Sequence, residues 1–313
     1  MEMNALAGGL LPIGLTIILG FLLKRFLIPD DTHWVGVNKI TFYFLIPGLI
    51  ITTMIQAEVA AIPIGNIVIV LMIALALVIF ALAAIYFAGP KTTASKSSFS
   101  STFQTSTRWN AAIALAITGE IYGPVAVTII ALAMIVLIPV INIVNVALLA
   151  NLLAERRISL LESFAKVITN PIIIGCLAGI ALSWSETELW PAAKNTLDTL
   201  ADAAVGLILL SVGAGLNLSR LSSEGRHLLV SCLLKLVLMP VFVLLAGGFF
   251  GLGGVMLTSL VIVAAVPTAM HGYVLAREMG GDAPLYANAA SLQVVLSFVT
   301  LPCWIWVAGI VRG

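Results

Sequence analysis

The chain of 313 residues is 61% hydrophobic and 9% charged, and its formal net charge is +1. Soluble proteins carry about 25% charged residues, so this composition excludes a soluble domain and indicates a protein that crosses a membrane several times. No basic run points to nucleic-acid binding. The isolated cysteines Cys176, Cys232 and Cys303 argue against a disulfide framework and a metal cluster.

A membrane-spanning helix needs about 20 mostly apolar residues. Ten segments meet this requirement, and short connections join them. The predicted spans 1 to 10 are 6–27, 36–56, 63–88, 99–120, 124–150, 166–184, 198–217, 227–250, 255–277 and 286–310. The first apolar run has no basic n-region and no small-residue cleavage site, so we expect a retained helix rather than a signal peptide.

Basic residues in the connections indicate the orientation of the chain. Ten lysines and arginines fall on one side of the predicted spans and two on the other. By the positive-inside rule the first side is cytoplasmic, and both termini are then extracytoplasmic. We therefore expect a multi-pass protein of the cell (inner) membrane.

An inverted repeat follows from ten spans divided five and five, because the halves begin in opposite directions. The predicted halves are residues 1–150 and 151–313. A weak match of the segment 120–123 (EIYG) with 278–281 (EMGG) relates span 4 to span 9. The expected fold is thus an all-α membrane protein of two inverted five-helix repeats.

Span 4 carries a polar run from Gln104 to Asn110 that no lipid-facing helix could accommodate. We predict a broken helix there, because irregular backbone at membrane depth must be buried in protein or line a cavity. In span 9, Pro267 lacks an amide hydrogen and interrupts the helix. The half-helices that begin at Ala111 and Thr268 would offer free amide groups and a partial positive charge to an anion.

Arg108 and Asn110 are the strongest candidates for substrate contact. Arg108 offers a permanent charge and a planar set of donors to a carboxylate. It would alternatively pair with a carboxylate such as Asp202, or extend to the cytoplasmic surface. Asn110 would bind a substrate carboxylate, or only satisfy the backbone freed by the break.

Other polar residues within the spans have two interpretations each. His271 is a candidate for proton coupling or a packing residue. Lys39, beside Asn38, belongs to the site or extends to the membrane surface. Lys235 would balance Asp202 or Glu120, which are themselves candidates for ion or proton coupling. Four amide side chains would either face the substrate cavity or join neighbouring helices. They are Asn288 and Gln293 in span 10 and Asn142 and Asn145 in span 5.

Enzyme signatures are missing from the sequence. It contains no H-E-x-x-H pair, no G-x-S-x-G elbow and no P-loop. We therefore expect a protein that is not an enzyme and that needs no cofactor.

Several loose motifs in a fixed order carry a resemblance to a known family. They are Asn38–Pro47 in span 2, Asn110 in span 4, Leu210–Leu216 in span 7, and Ala265–Pro267 with Ala276–Glu278 in span 9. With these motifs the chain resembles a prokaryotic member of the auxin efflux carrier family, in the bile acid/auxin transporter group. It departs from the family in continuing Asn110 with Ala111–Ala114, where a proline is common.

The resemblance implies a fold like that of sodium/bile-acid symporters and NhaA. Spans 1, 2, 6 and 7 would form a scaffold domain, interleaved with a transport domain of spans 3–5 and 8–10. Spans 4 and 9 would cross, with Asn110 as the crossover asparagine and Pro267 as the crossover proline. Members of this family are similar in moving organic anions, including auxin, malate and malonate.

The leading hypothesis is a secondary transporter that moves a small organic carboxylate by elevator-like alternating access. The substrate would lie between the half-helices, held by Asn110 and Thr268 and attracted by Arg108. Expected partners are the anion, the lipid bilayer, H+ or Na+ as a coupling ion, and a second copy of the chain in a homodimer. The alternative is a non-cycling anion channel or a ligand-sensing membrane protein.

Overall fold

The computed structural model describes residues 3–56, 62–89, 93–153, 171–185, 189–216, 225–270 and 272–311. Within these ranges the regular structure is entirely helical. The α-helices are α1 Met3–Leu22, α2 Asp31–Ile40, α3 Ile46–Gln56, α4 Ile64–Ala88, α5 Thr93–Thr107, α6 Ala111–Tyr122, α7 Pro124–Leu153, α8 Pro171–Ser185, α9 Pro191–Ala214, α10 Gly225–Leu233, α11 Met239–Phe249, α12 Gly254–Ala265, α13 Gly272–Glu278 and α14 Ala283–Val311.

Long apolar helices dominate the described part of the chain. Six are long and apolar enough to cross a bilayer, namely Asp31–Gln56, Ile64–Ala88, Pro124–Leu153, Pro191–Ala214, Gly225–Phe249 and Ala283–Val311. Two shorter apolar helices, Pro171–Ser185 and Gly254–Ala265, accompany them. Large side chains such as Phe80 and Phe249 are exposed, as expected of a surface that faces lipid.

Several helix boundaries differ from the predicted ones. The predicted span 7 was placed from residue 198, but α9 begins at Pro191, directly after Trp190. Proline is favoured at the first position of a helix because its missing amide hydrogen has no partner there. Asp198, the first residue of the predicted span 7, therefore lies inside α9, as does Asp202. Residues 166–170 of the predicted span 6 lie outside the described residues.

Among the described residues, three π-helical turns each end two residues before a proline; two of them join successive helices and one ends α1. They cover Leu23–Leu27, Thr41–Leu45 and Leu234–Leu238, and they precede Pro29, Pro47 and Pro240. A proline ring presses on the preceding turn and removes one donor, and a widened turn relieves both problems. Pro47 and Pro240 thus follow local distortions between helices that join without a gap, whereas the turn before Pro29 ends α1.

The described helices belong to two compact units. The first unit comprises residues 1–64, 111–135 and 166–216, and the second comprises 65–110, 136–165 and 217–313. The chain passes from the second unit to the first between Asn110 and Ala111.

Small residues allow the helices of the first unit to pack closely. A Cβ atom at Gly213 in α9 would overlap the carbonyl oxygen of Ile17 in α1, and one at Gly20 would overlap the carbonyl of Leu210. Between α3 and α8, a Cβ atom at Gly175 would lie 3.0 Å from Pro47 Cα. Such close backbone approach is a main source of helix association in membranes, where burial of apolar surface gives little driving force.

We expect Gly213→Ala to destabilise the protein, because the new methyl group has to displace backbone rather than a flexible side chain. Overpacking of this kind costs about 1–3 kcal/mol. The measurement is thermal unfolding of the purified protein in detergent. Gly206→Ala in the same helix is the matched control, since no atom lies within 4 Å of its new Cβ. Equal melting temperatures for the two variants would contradict the proposed packing.

The second unit buries a polar helix. In α5, Gln104, Thr105 and Ser106 are fully buried. Thr105 Oγ1 donates to the carbonyl of Ser101 at 2.9 Å, and Ser106 Oγ donates to that of Thr102 at 2.8 Å. Because the hydroxyl groups are satisfied within their own helix, α5 can pack inside the unit, as its polarity predicted.

Candidate transport site

The first helix break lies at the end of α5. The helix ends at Thr107 and α6 begins at Ala111, so Arg108, Trp109 and Asn110 connect them. The sequence predicts this break and the start at Ala111 correctly. Trp109 and Asn110 are 5% and 8% exposed, so the irregular backbone is buried in protein as the bilayer requires.

The second break follows α12, which ends at Ala265. Pro267 lies two residues further on, in the predicted position. The next helix, however, begins at Gly272 and not at Thr268. The predicted start was therefore wrong by four residues, and Thr268 lies in the connection rather than at the end of a half-helix.

A backbone hydrogen bond joins the two breaks. The amide of Asn110 donates to the carbonyl of Pro267 at 2.8 Å, and both residues belong to the second unit. The bond thus pairs an amide of the first break with a carbonyl of the second break, and both groups lie outside the helices. The two breaks are therefore in direct contact, which the predicted crossing requires.

The side chain of Gln293 in α14 forms hydrogen bonds to residues at both breaks. Its Oε1 atom accepts from the amide of Thr268 at 2.8 Å, and its Nε2 atom donates to the carbonyl of Thr105 at 3.1 Å and to Ser231 Oγ at 2.8 Å. The amide of Thr268, expected to be free for an anion, is therefore occupied. Gln293 supports the connection instead of being a free donor.

Tyr286 also holds this connection, a role that was not predicted from the sequence. Its hydroxyl donates to the carbonyl of Ala269 at 2.5 Å and lies 3.2 Å from Thr268 Oγ1. A Cβ atom at Gly272 would overlap this hydroxyl, so α13 can begin there only with glycine. A lone tyrosine in an alanine-rich stretch gave no signal of this role.

Arg108 is a buried cation held by neutral groups. It is 4% exposed, its Nε donates to Gln104 Oε1 at 3.3 Å, and one terminal nitrogen donates to Asn142 Oδ1 at 2.9 Å. The ion pair found among the described residues is Lys24 with Asp31, so the alternative of an ion-paired Arg108 is not formed there. The amide nitrogen of Gln104 is buried beside it without a hydrogen-bond partner.

Two further predicted amides occupy different environments. Asn145 Nδ2 donates to Thr107 Oγ1 at 3.1 Å and to the carbonyl of Ile141 at 2.7 Å, so it joins α7 to α5. Asn288 is 6% exposed, and none of the hydrogen bonds between described residues involves its side chain. Asn288 thus remains a candidate for substrate contact in the second unit.

The remaining candidates lie apart from these contacts or outside the description. Asn38 and Lys39 are exposed on α2, and Glu120 and Asp202 are exposed on α6 and α9. His271 lies outside the described residues. No group of three or more His, Cys, Asp or Glu side chains suited to a metal ion occurs in the described ranges.

The apolar helices and the two breaks in contact define a polytopic helical membrane protein with a polar, positively charged break in its interior. Residues 6–305 match the sequence model of the family described as membrane transport protein. The chain belongs to this family, which includes the auxin efflux carriers, and the resemblance seen in the sequence is thereby confirmed. The family is one of membrane transporters rather than enzymes, so the chain is a multi-span transport protein.

Two relatives show partial similarity to the chain. An uncharacterized transporter of Methanothermobacter thermautotrophicus is 30% identical over 112 residues, which cover 36% of this chain and 37% of the relative. Auxin efflux carrier component 1 of Arabidopsis thaliana is 26% identical over 148 residues, which cover 45% of this chain and 24% of the relative. The matched regions therefore span about a third and about a quarter of these two relatives.

Proposed function

We propose that the protein is a secondary transporter that moves a small organic anion, with its substrate site at the crossing of the α5 and α12 breaks. The observation that carries this proposal is the bond between Asn110 and Pro267, which brings two broken helices together beside the buried Arg108. Transporters commonly bind substrates at broken helices near the bilayer midplane. A buried cation without a carboxylate partner favours an anionic substrate.

The mechanism that we propose is elevator-like alternating access in a ten-span inverted repeat. Spans 1, 2, 6 and 7 would form the scaffold domain, and spans 3–5 and 8–10 the transport domain. The contacts between the two breaks, Gln293 and Arg108 all lie within the second unit, which supports a site that moves as one body. The distribution of basic residues supports insertion in the inner membrane with both termini extracytoplasmic.

Uptake into proteoliposomes tests the proposal. We expect saturable uptake of a small carboxylate, such as malonate, malate or an indole acetate, and accelerated exchange when unlabelled substrate is present inside. Imposed sodium and pH gradients identify H+ or Na+ as the coupling ion. Non-saturating flux with a measurable conductance and no exchange would favour the anion channel instead.

Arg108→Gln should weaken binding of the anion strongly, because it removes the buried positive charge and keeps a side chain able to form hydrogen bonds. Losing a hydrogen bond to a charged group costs about 1.5–3 kcal/mol, which corresponds to about a 10- to 150-fold rise in Kd. The measurement is ligand-induced thermal stabilisation over a concentration series. Arg226→Gln is the matched control, since Arg226 is exposed at the start of α10. If the two substitutions reduced ligand-induced stabilisation equally, Arg108 would not belong to the substrate site.

A further inference from the structure

A buried side-chain amide beside Arg108 has a hydrogen-bond donor that the protein itself does not use. Gln104 in α5 is fully buried, and its Nε2 atom has no hydrogen-bond partner. A buried donor without an acceptor lowers the stability of the folded protein, and such groups often have a binding or catalytic role. The proposed function above assigns no role to this nitrogen.

Arg108 fixes the orientation of the Gln104 amide. A guanidinium group only donates hydrogen bonds, so the atom of Gln104 that lies 3.3 Å from Arg108 Nε is the oxygen. Exchanging the two ends of the amide would place an NH2 group against an N–H donor. The Nε2 atom therefore occupies the other arm of the amide, with both of its hydrogens available to an acceptor.

Asn142 in α7 is held by Arg108 in the same way. Its Oδ1 atom accepts from a terminal nitrogen of Arg108 at 2.9 Å, so its Nδ2 group is also turned away from the guanidinium group. The hydrogen bonds between described residues use two of the five N–H groups of the Arg108 side chain. Arg108 thus occupies both amide oxygens, and the three side chains have only donors left for a ligand.

We propose that Gln104 is a substrate-binding residue whose Nε2 group donates to the oxyanion that Arg108 attracts, an inference that rests on the proposed function. Gln104, Arg108 and Asn142 all belong to the second unit, so they can act as one site. Side chains that offer only donors fit a group that has only acceptors, such as an ionised carboxylate. They reject a carboxamide or a protonated carboxylic acid, because an N–H or O–H group of the ligand would meet a donor.

Gln104→Glu tests this role directly, because it replaces the unused donor with an acceptor of the same shape. The new carboxylate would pair with Arg108 and repel an incoming anion. Malonate, malate and indole acetate are added to the purified full chain in detergent, and the one that raises the melting temperature of the parent most is titrated. We expect Gln104→Glu to raise its Kd at least about tenfold. The melting temperature without ligand should stay at or above that of the parent, since Arg108 gains a partner.

Two further variants complete the test. Gln104→Met keeps a long unbranched side chain without either polar atom, so it should also raise Kd at least about tenfold. Gln56→Glu makes the same chemical change as Gln104→Glu at an exposed position, so it should bind like the parent.

Parent-like binding by either Gln104 variant would overturn the inference and leave the proposed function standing. Weaker binding by Gln104→Glu together with a lower melting temperature without ligand would overturn it as well, since Gln104 would then act in folding. If none of the three carboxylates stabilised the parent, the inference and the proposed function would both be overturned.

Discussion

Replacing Asn110 with alanine is expected to abolish most carboxylate uptake while leaving the fold in place. The backbone amide that bonds to Pro267 is retained in the variant, so the contact between the two breaks persists. The lost side-chain amide is a donor to the substrate carboxylate in our proposal. A hydrogen bond to a charged group contributes about 1.5–3 kcal/mol, so transport efficiency should fall about 10- to 150-fold.

The measurement is the initial rate of uptake into proteoliposomes over a range of substrate concentrations. Asn151→Ala provides a matched control, because Asn151 is exposed near the end of α7 and its amide donates to the carbonyl of Ala147 in its own helix. Uptake by Asn110→Ala at the rate of the parent would mean that the substrate binds elsewhere. A parallel fall in Asn151→Ala would indicate a general loss of folded protein.

The first break could be predicted from the sequence because it follows from local chemistry. Six polar side chains in the segment 104–110 leave no lipid-compatible face, whatever the rest of the chain does. The start of α13 depends instead on distant residues. Gln293 bonds to the amide of Thr268, and the Tyr286 hydroxyl occupies the position that a Cβ atom at Gly272 would need. These two contacts place the start of the helix at that glycine. No local pattern around Pro267 contains this information.

The partners of the buried charges were equally hidden from the sequence. One alternative paired Arg108 with a carboxylate such as Asp202, but amide oxygens of Gln104 and Asn142 accept its hydrogen bonds. Which of several polar residues reaches an arginine depends on helix rotation. A largely apolar helix such as α7, with Asn142 and Asn145 among its few polar residues, gives little indication of its rotation in its sequence. Prolines are similarly ambiguous, since Pro139 lies inside α7 while Pro47 and Pro240 follow π-helical turns.

Gln293→Leu is expected to lower the stability of the protein strongly, because it removes the side chain that bonds to both breaks. Two buried groups lose their partner, the amide of Thr268 and the carbonyl of Thr105, and Ser231 Oγ keeps only its bond to Thr105 Oγ1. The carbonyl of Thr105 would bond to the next turn if α5 continued, so the break makes it dependent on Gln293. Each buried polar group left unpaired costs about 1–3 kcal/mol, and leucine fills the volume without replacing any of these bonds.

Thermal unfolding and hydrogen exchange of the purified protein distinguish this effect from a loss of substrate contact. Gln293→Leu should lower the melting temperature without any ligand and should speed amide exchange at residues 266–270, where the connection loses its anchor. Gln293→Glu retains the acceptor for Thr268 but lacks the donor for Thr105, so it should fall between the parent and Gln293→Leu. Val295→Ala, at a position 42% exposed in the same helix, should leave exchange unchanged. If Gln293→Leu unfolded like the parent and only lost substrate, Gln293 would be a binding residue, one of the two roles that the sequence allowed. The contact between the breaks would then owe its stability to the bond between Asn110 and Pro267.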